Sequence, residues 1–183
     1  MALQRGTVRV LLAIAVVGAG VSLLRDFVCL SDEEKAAKAI EKLGGEAAVG
    51  ANAPGRHVVR VDLHGTSATD TDLKQLIEFK RLRVLFLSGT KVTDAGLKEL
   101  KELTNLRVLV LAHTKVTDAG LKELTNLKSL QALELDNTKV TDAGLKELKE
   151  LTGLEYLRLV GTEVTDAGVK ELQAALPELK IER

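Results

Sequence analysis

The sequence has one cysteine, two prolines, one tyrosine and no tryptophan in 183 residues. A single thiol excludes an internal disulfide framework and any zinc site built on cysteines. Aromatic residues, at 2%, are too few for the stacking platforms that hold single-stranded nucleic acid. Charge of one sign is lacking too: 26 basic and 26 acidic residues cancel, so no overall field draws in nucleic acid or an anionic surface. What the chain has in excess is leucine, 34 residues against three histidines and one methionine. The length suits one domain with a short appendage. The leucine bias points to an aliphatic core built by repetition.

Residues 1–30 differ from the rest. Arg5 and Arg9 precede Val10 to Leu24, a run in which only Ser22 is polar. A basic start followed by an apolar run is the form of an export signal. As a helix the run spans about 22 Å, short of the ~30 Å hydrocarbon core of a bilayer. Two outcomes remain open: cleavage after the small residues Val17-Gly18-Ala19, or retention as a short signal anchor with Arg25 at the far interface. Asp26, Phe27 and Val28 before Cys29 argue against a lipoprotein. The expected location is therefore secreted or membrane-anchored outside the cytoplasm.

Residues 31–57 read as a cap helix and linker. Ser31 and Glu34 form a capping box, and Ala36, Ala39, Ile40 and Leu43 share one face of a helix over 32–43 that Gly44-Gly45 end. The turn-rich stretch that follows has room for a brief strand at 46–49.

From residue 58 to 183 the chain repeats itself. Blocks beginning VTDAGL start at 92, 116 and 140, each 24 residues after the last; a worn copy occupies 68–91 and a truncated one 164–183. Such self-similarity marks a solenoid whose units bury apolar faces on one another. Within a unit, Leu97, Leu100 and Leu103 keep a helical spacing, and Leu109 and Leu111 alternate with Val110 as in a strand. Thr93 and Asp94 stand where a helix N-cap and an acid near the positive dipole end are favoured. Parallel strands are predicted at 58–63, 84–87, 108–111, 132–135, 156–159 and 179–182.

The frame Leu106-x-x-Leu109-x-Leu111-x-x-Thr114 resembles the leucine-rich repeat consensus, whose ninth position is usually Asn or Cys. VTDAGL is similar to the helical half of the cysteine-containing and ribonuclease-inhibitor-like subclasses, and the array resembles a group of bacterial exported proteins carrying VTDAGL and GT at the same places. The departure is threonine in the ninth position, at Thr66, Thr90, Thr114, Thr138 and Thr162, where a hydroxyl reaches less far than the amide of an asparagine ladder. The resemblance implies an α/β fold: a right-handed solenoid, a short horseshoe with a parallel concave sheet, convex helices and an N-terminal helical cap. It also implies a binding module whose specificity lies on the concave side.

No catalytic constellation emerges, and no cofactor or metal is expected. His57, His64 and His113 read as surface histidines, with the last two about two strand rows, ~10 Å, apart. The recurrent Asp94, Asp118, Asp142 and Asp166 read as helix-start acids rather than a calcium ladder, and Gly96, Gly120, Gly144 and Gly168 as packing positions. KELKEL runs read as solvated helix faces.

Side chains alternating with the buried leucines would face a partner. The central row is Asp62, Phe86, Val110, Glu134, Arg158 and Lys180; the earlier row is Arg60, Val84, Val108, Ala132, Tyr156 and Glu178; the later row is His64, Ser88, Ala112, Asp136, Val160 and Glu182. Val84, Phe86, Val108, Val110 and Ala112 thus form an exposed apolar cluster, and Glu134, Tyr156 and Arg158 a charged neighbour. The sequence suggests a non-enzymatic module for a protein partner, with the membrane engaged through residues 1–30 if they are uncleaved. The alternative is a structural envelope protein that associates with itself.

Overall fold

The computed structural model describes residues 31–50 and 57–183. The expected export or anchoring segment lies outside the described residues. Among those described, no helix is long and apolar enough to cross a membrane.

The first element is helix α1, Asp32–Lys42. Its capping box is made as the sequence predicts: Glu34 N–H donates to Ser31 Oγ at 3.2 Å, and Ser31 N–H to Glu34 Oε2 at 2.9 Å. Ala36 and Ile40 turn into the core. Strand β1, Glu46–Val49, then pairs antiparallel with β2, Val58–Asp62. The brief strand was expected, its antiparallel pairing was not. It gives the first repeat a main-chain partner on its outer edge, where an unpaired strand would template association. Glu33 fastens the cap to the array, its Oε1 accepting Val58 N–H at 2.6 Å and its Oε2 lying 3.1 Å from His57 Nδ1.

The repeats follow in order: β3 (Val84–Phe86), α2 (Asp94–Leu100), β4 (Val108–Val110), α3 (Asp118–Leu121), β5 (Ala132–Glu134), α4 (Asp142–Glu147), β6 (Tyr156–Arg158), α5 (Asp166–Ala175) and β7 (Lys180–Glu182). The worn first repeat has a 3-10 turn at Asp72–Glu78 instead of an α-helix. One seven-stranded sheet runs β1 to β7 in chain order, and β2 to β7 are parallel. Each of β3 to β7 has three residues, shorter than predicted, because turns close in on both sides. Seven apolar positions per unit fill the space between sheet and helices. In the unit from 92 to 115 these are Val92, Leu97, Leu100, Leu103, Leu106, Leu109 and Leu111, all buried. Fully burying each such side chain is worth ~1.5–3 kcal/mol.

The ninth-position threonines do not build a ladder between repeats. Each hydroxyl donates to the carbonyl three residues back in its own turn, as Thr90 to Leu87 O at 2.7 Å and Thr114 to Leu111 O at 2.6 Å. The link between repeats lies at the helix starts. Asp70 Oδ1 accepts Thr93 N–H and its Oδ2 the Thr93 hydroxyl, both at 2.7 Å. Asp94 with Thr117, Asp118 with Thr141 and Asp142 with Thr165 repeat the pattern. The threonines cap their own helices as expected, Thr93 Oγ1 accepting Ala95 N–H at 3.3 Å. The aspartates do more than sit near a helix dipole: they hold the next repeat. Gly96 makes room for this, since a β-carbon there would meet Asp70 Oδ1 at 2.5 Å and Leu73 Cδ1 at 3.0 Å.

The last row lies two residues from its predicted place. Tyr156 pairs with Lys180 and Arg158 with Glu182, so Glu182 belongs to the central row and Lys180 to the earlier one. The strands themselves keep the step of the earlier rows, Ala132 to Tyr156 to Lys180, and only the turn before β7 is shifted. Leu154 N–H donates to Leu151 O and Leu179 N–H to Leu176 O, the same turn displaced by one residue more than the strands are.

A candidate protein-binding face

The open face of the sheet lies opposite the helices. In-register pairing stacks Val84, Val108, Ala132 and Tyr156 in one line and Phe86, Val110, Glu134 and Arg158 in the next. Leu85, Leu109, Leu133 and Leu157 between them point into the core and are fully buried. Strand alternation therefore turns these stacked side chains away from the leucines.

The apolar half is less exposed than expected. Val84, Phe86 and Val108 are half-buried, while Val110 and Ala112 are each only 7% exposed. Neighbouring rows ~4.8 Å apart press their side chains together, so short ones form a floor. Arg60 from β2 extends over Phe86, its guanidinium carbon 4.6 Å from the ring centroid, and its Nη2 donates to Asp62 Oδ2 at 3.2 Å. A cation held over an aromatic face contributes ~0.5–1 kcal/mol at an exposed site.

The charged half has the predicted neighbours, with its ion pairs made to other acids. Glu134 and Arg158 are neighbours in the register, yet the Arg158 Nε lies 3.1 Å from Asp136 Oδ2 and 3.7 Å from Glu182 Oε2. Neither contact has hydrogen-bond geometry, so the buried Nε is held by charge alone. Asp136 is itself fixed, its Oδ1 accepting Val160 N–H at 3.0 Å. The Tyr156 hydroxyl donates to Glu182 Oε2 at 2.5 Å, which raises the phenol above its ordinary pKa. Asp136 and Glu182 thus complete a cluster of which the sequence singled out only Tyr156, Arg158 and Glu134. Asp136 was visible in the later row, but the two-residue slip of the last row hid Glu182.

Just past the strands, Gly65, Gly89, His113, Asn137 and Gly161 occupy one turn position, and all have positive φ. His113 at φ 57° and Asn137 at φ 54° adopt a conformation that glycine takes without strain. Their side chains meet, Asn137 Nδ2 3.4 Å from His113 Nε2. Among the described residues no three His, Cys, Asp or Glu side chains gather as a metal site would need.

Residues 63–182 match the family described as leucine-rich repeat region. The chain belongs to the leucine-rich repeat family. Among solved structures it is similar to a leucine-rich repeat protein of Leptospira interrogans, at 29% identity over 60% of this chain and 27% of that one, with a TM-score of 0.49. It is also similar to internalin C2 of Listeria monocytogenes, at 20% identity over 82% of this chain and 73% of that one, with a TM-score of 0.51. This chain thus spans about a quarter of the Leptospira protein's length and about three quarters of the internalin's. The second likeness agrees with the parallel sheet and helices described above. No curated protein matches the chain.

Proposed function

We propose that this protein is a non-enzymatic protein-binding module, exported or held at a membrane by its N-terminal segment, that takes its partner on the open face of the sheet. The observation that carries the reading is the division of that face into an apolar half and a charged half on one in-register lattice. Binding interfaces place desolvated aromatic and aliphatic groups at the centre and polar groups at the rim. Phe86, Val84 and Val108 would supply contacts, Val110 and Ala112 the floor, and Glu134, Tyr156 and Arg158 the polar rim. Membership of the leucine-rich repeat family supports a protein-interaction role in general. The basic and apolar pattern of residues 1–24 supports export.

A photo-crosslinking amino acid at position 86 of the full chain, in its native cell, tests the reading against the same group at Lys98 on a helix. A product found only from position 86, and lost in Arg158→Glu, supports it. A product at twice 19.7 kDa would mean self-association instead, and equal products from both positions would sink the assignment of the face.

A further inference from the structure

A second surface lies at the rim where the chain enters the strands. There a groove of about 360 Å³ is lined by Arg83, Arg107 and Lys128 together with Asn105, Gln131 and Glu155. The main chain beneath is fixed: Arg83 N–H donates to Val59 O, Arg107 N–H to Arg83 O and Gln131 N–H to Arg107 O, each at 2.8 Å. Arg83 and Arg107 therefore start from adjacent rows, ~4.8 Å apart.

Several groups of the groove are already satisfied. Lys128 Nζ donates to Glu150 O at 2.8 Å and lies 3.4 Å from Glu150 Oε2, while Gln131 Nε2 donates to Glu155 Oε1 at 3.2 Å. The two arginine side chains are exposed, and neither has a hydrogen bond or ion pair among the described residues. Like charges on adjacent strands repel, and an outside anion would relieve this. The planar guanidinium fork matches a carboxylate with two parallel hydrogen bonds.

We propose that this groove binds an extended acidic segment of a protein partner, its carboxylates seated on Arg83 and Arg107. The lining has no aromatic residue on which a base could stack, and the chain as a whole is neutral, which disfavours nucleic acid. The groove is open, with its charged side chains in solvent, and so lacks the enclosure that would hold a small free anion. The proposal does not depend on the open face of the sheet.

The test uses the full chain and a short fluorescein-labelled peptide of alternating Glu and Gly, read by fluorescence anisotropy. Binding should weaken as salt rises. Arg83→Glu with Arg107→Glu should lose about tenfold or more in affinity. Lys98→Glu with Lys122→Glu, which changes net charge equally on the helix side, should stay within about twofold. If the glutamate pair fails to fold by circular dichroism, Arg83→Gln with Arg107→Gln gives the same comparison. The proposal is overturned if the peptide does not bind, or if the lysine pair loses as much affinity. It is equally overturned if an oligothymidylate binds as tightly as the peptide, or if inorganic phosphate displaces the peptide at equal charge.

Discussion

Asp94 holds Thr117 twice: Oδ1 accepts the threonine's backbone N–H at 2.7 Å and Oδ2 its hydroxyl at 2.7 Å. One carboxylate thereby satisfies an amide at the start of the next helix and pins the cap residue of that helix. Gly120 lies against the same carboxylate, too close for a β-carbon.

Asp94→Ala should destabilise the protein by about 1–2 kcal/mol, because Thr117 loses both acceptors. Gly120→Ala should also destabilise it, by forcing Asp94 and Leu97 aside. Joined in one chain the two changes should cost less than their sum, since the methyl then occupies space the carboxylate left. Urea denaturation of the four proteins measures the coupling; simple additivity would show that aspartate and glycine act independently.

Leu85→Ala and Phe86→Arg should part company in thermal melts. Leu85 is fully buried, so its truncation should cost ~2–5 kcal/mol through a cavity. Phe86 is half-buried on the open face, so replacing it should remove little beyond the Arg60 contact, ~0.5–1 kcal/mol. If both unfold the array alike, the face is misassigned.

Acid should weaken the last joint of the array. Hydrogen bonds from the Thr165 hydroxyl and backbone hold the Asp142 carboxyl below its ordinary pKa, and Lys149 does the same for Glu171. A depressed folded-state pKa stabilises the fold above the unfolded value, about 4, and that stability is lost as pH falls through the folded one. Stability should therefore decline from about pH 4 downward, less steeply in Asp142→Asn. An unchanged slope in that variant would rule out Asp142 as a contributor.

Tyr156 is the sole tyrosine, so phenolate absorbance reads it directly. Its titration midpoint should lie above about 10 and move back toward that value in Glu182→Gln. Because the folded pKa is raised, the stability this bond provides is complete below the unfolded value and fades as pH climbs past it. A normal midpoint in the parent would mean that the bond to Glu182 is absent in solution.

At the His113 turn, glycine and valine should behave oppositely. The left-handed backbone costs a β-carbon residue ~1–2 kcal/mol, and β-branching adds to it. His113→Gly should thus be more stable than His113→Val by at least about 1 kcal/mol. Equal melting temperatures would mean that the turn relaxes.

The 24-residue period made most of this fold legible, because identical leucines recur at identical phase and only a stacked arrangement buries them all. Helix α1 was equally plain, since Ser31 and Glu34 announce their own hydrogen bonds. The role of the aspartates was not. Asp94 and Thr117 are 23 residues apart, and a TD pair at each helix start looks like two capping residues until the neighbouring row is placed beside it. Burial of Val110 was hidden for a similar reason: alternation tells which face a side chain occupies, but how far adjacent rows shield it depends on their lengths. The slip at Glu182 came from a final unit without the leucine pair that marks the strand: Ile181 and Arg183 stand where Leu157 and Leu159 stand one unit earlier, although the pairing itself keeps the period.

The aspartate-to-threonine link has a bearing on how such a chain changes over generations. Donor and acceptor always belong to successive units and stand in the same relation to each, as do the glycine and the carboxylate beneath it. Excising one internal unit of 24 residues would bring an aspartate to a threonine it had never faced and still form the same two bonds. Unequal crossing-over could therefore lengthen or shorten the gene in whole units without creating a faulty joint, so the size of the open face can vary while the chemistry of every seam stays fixed.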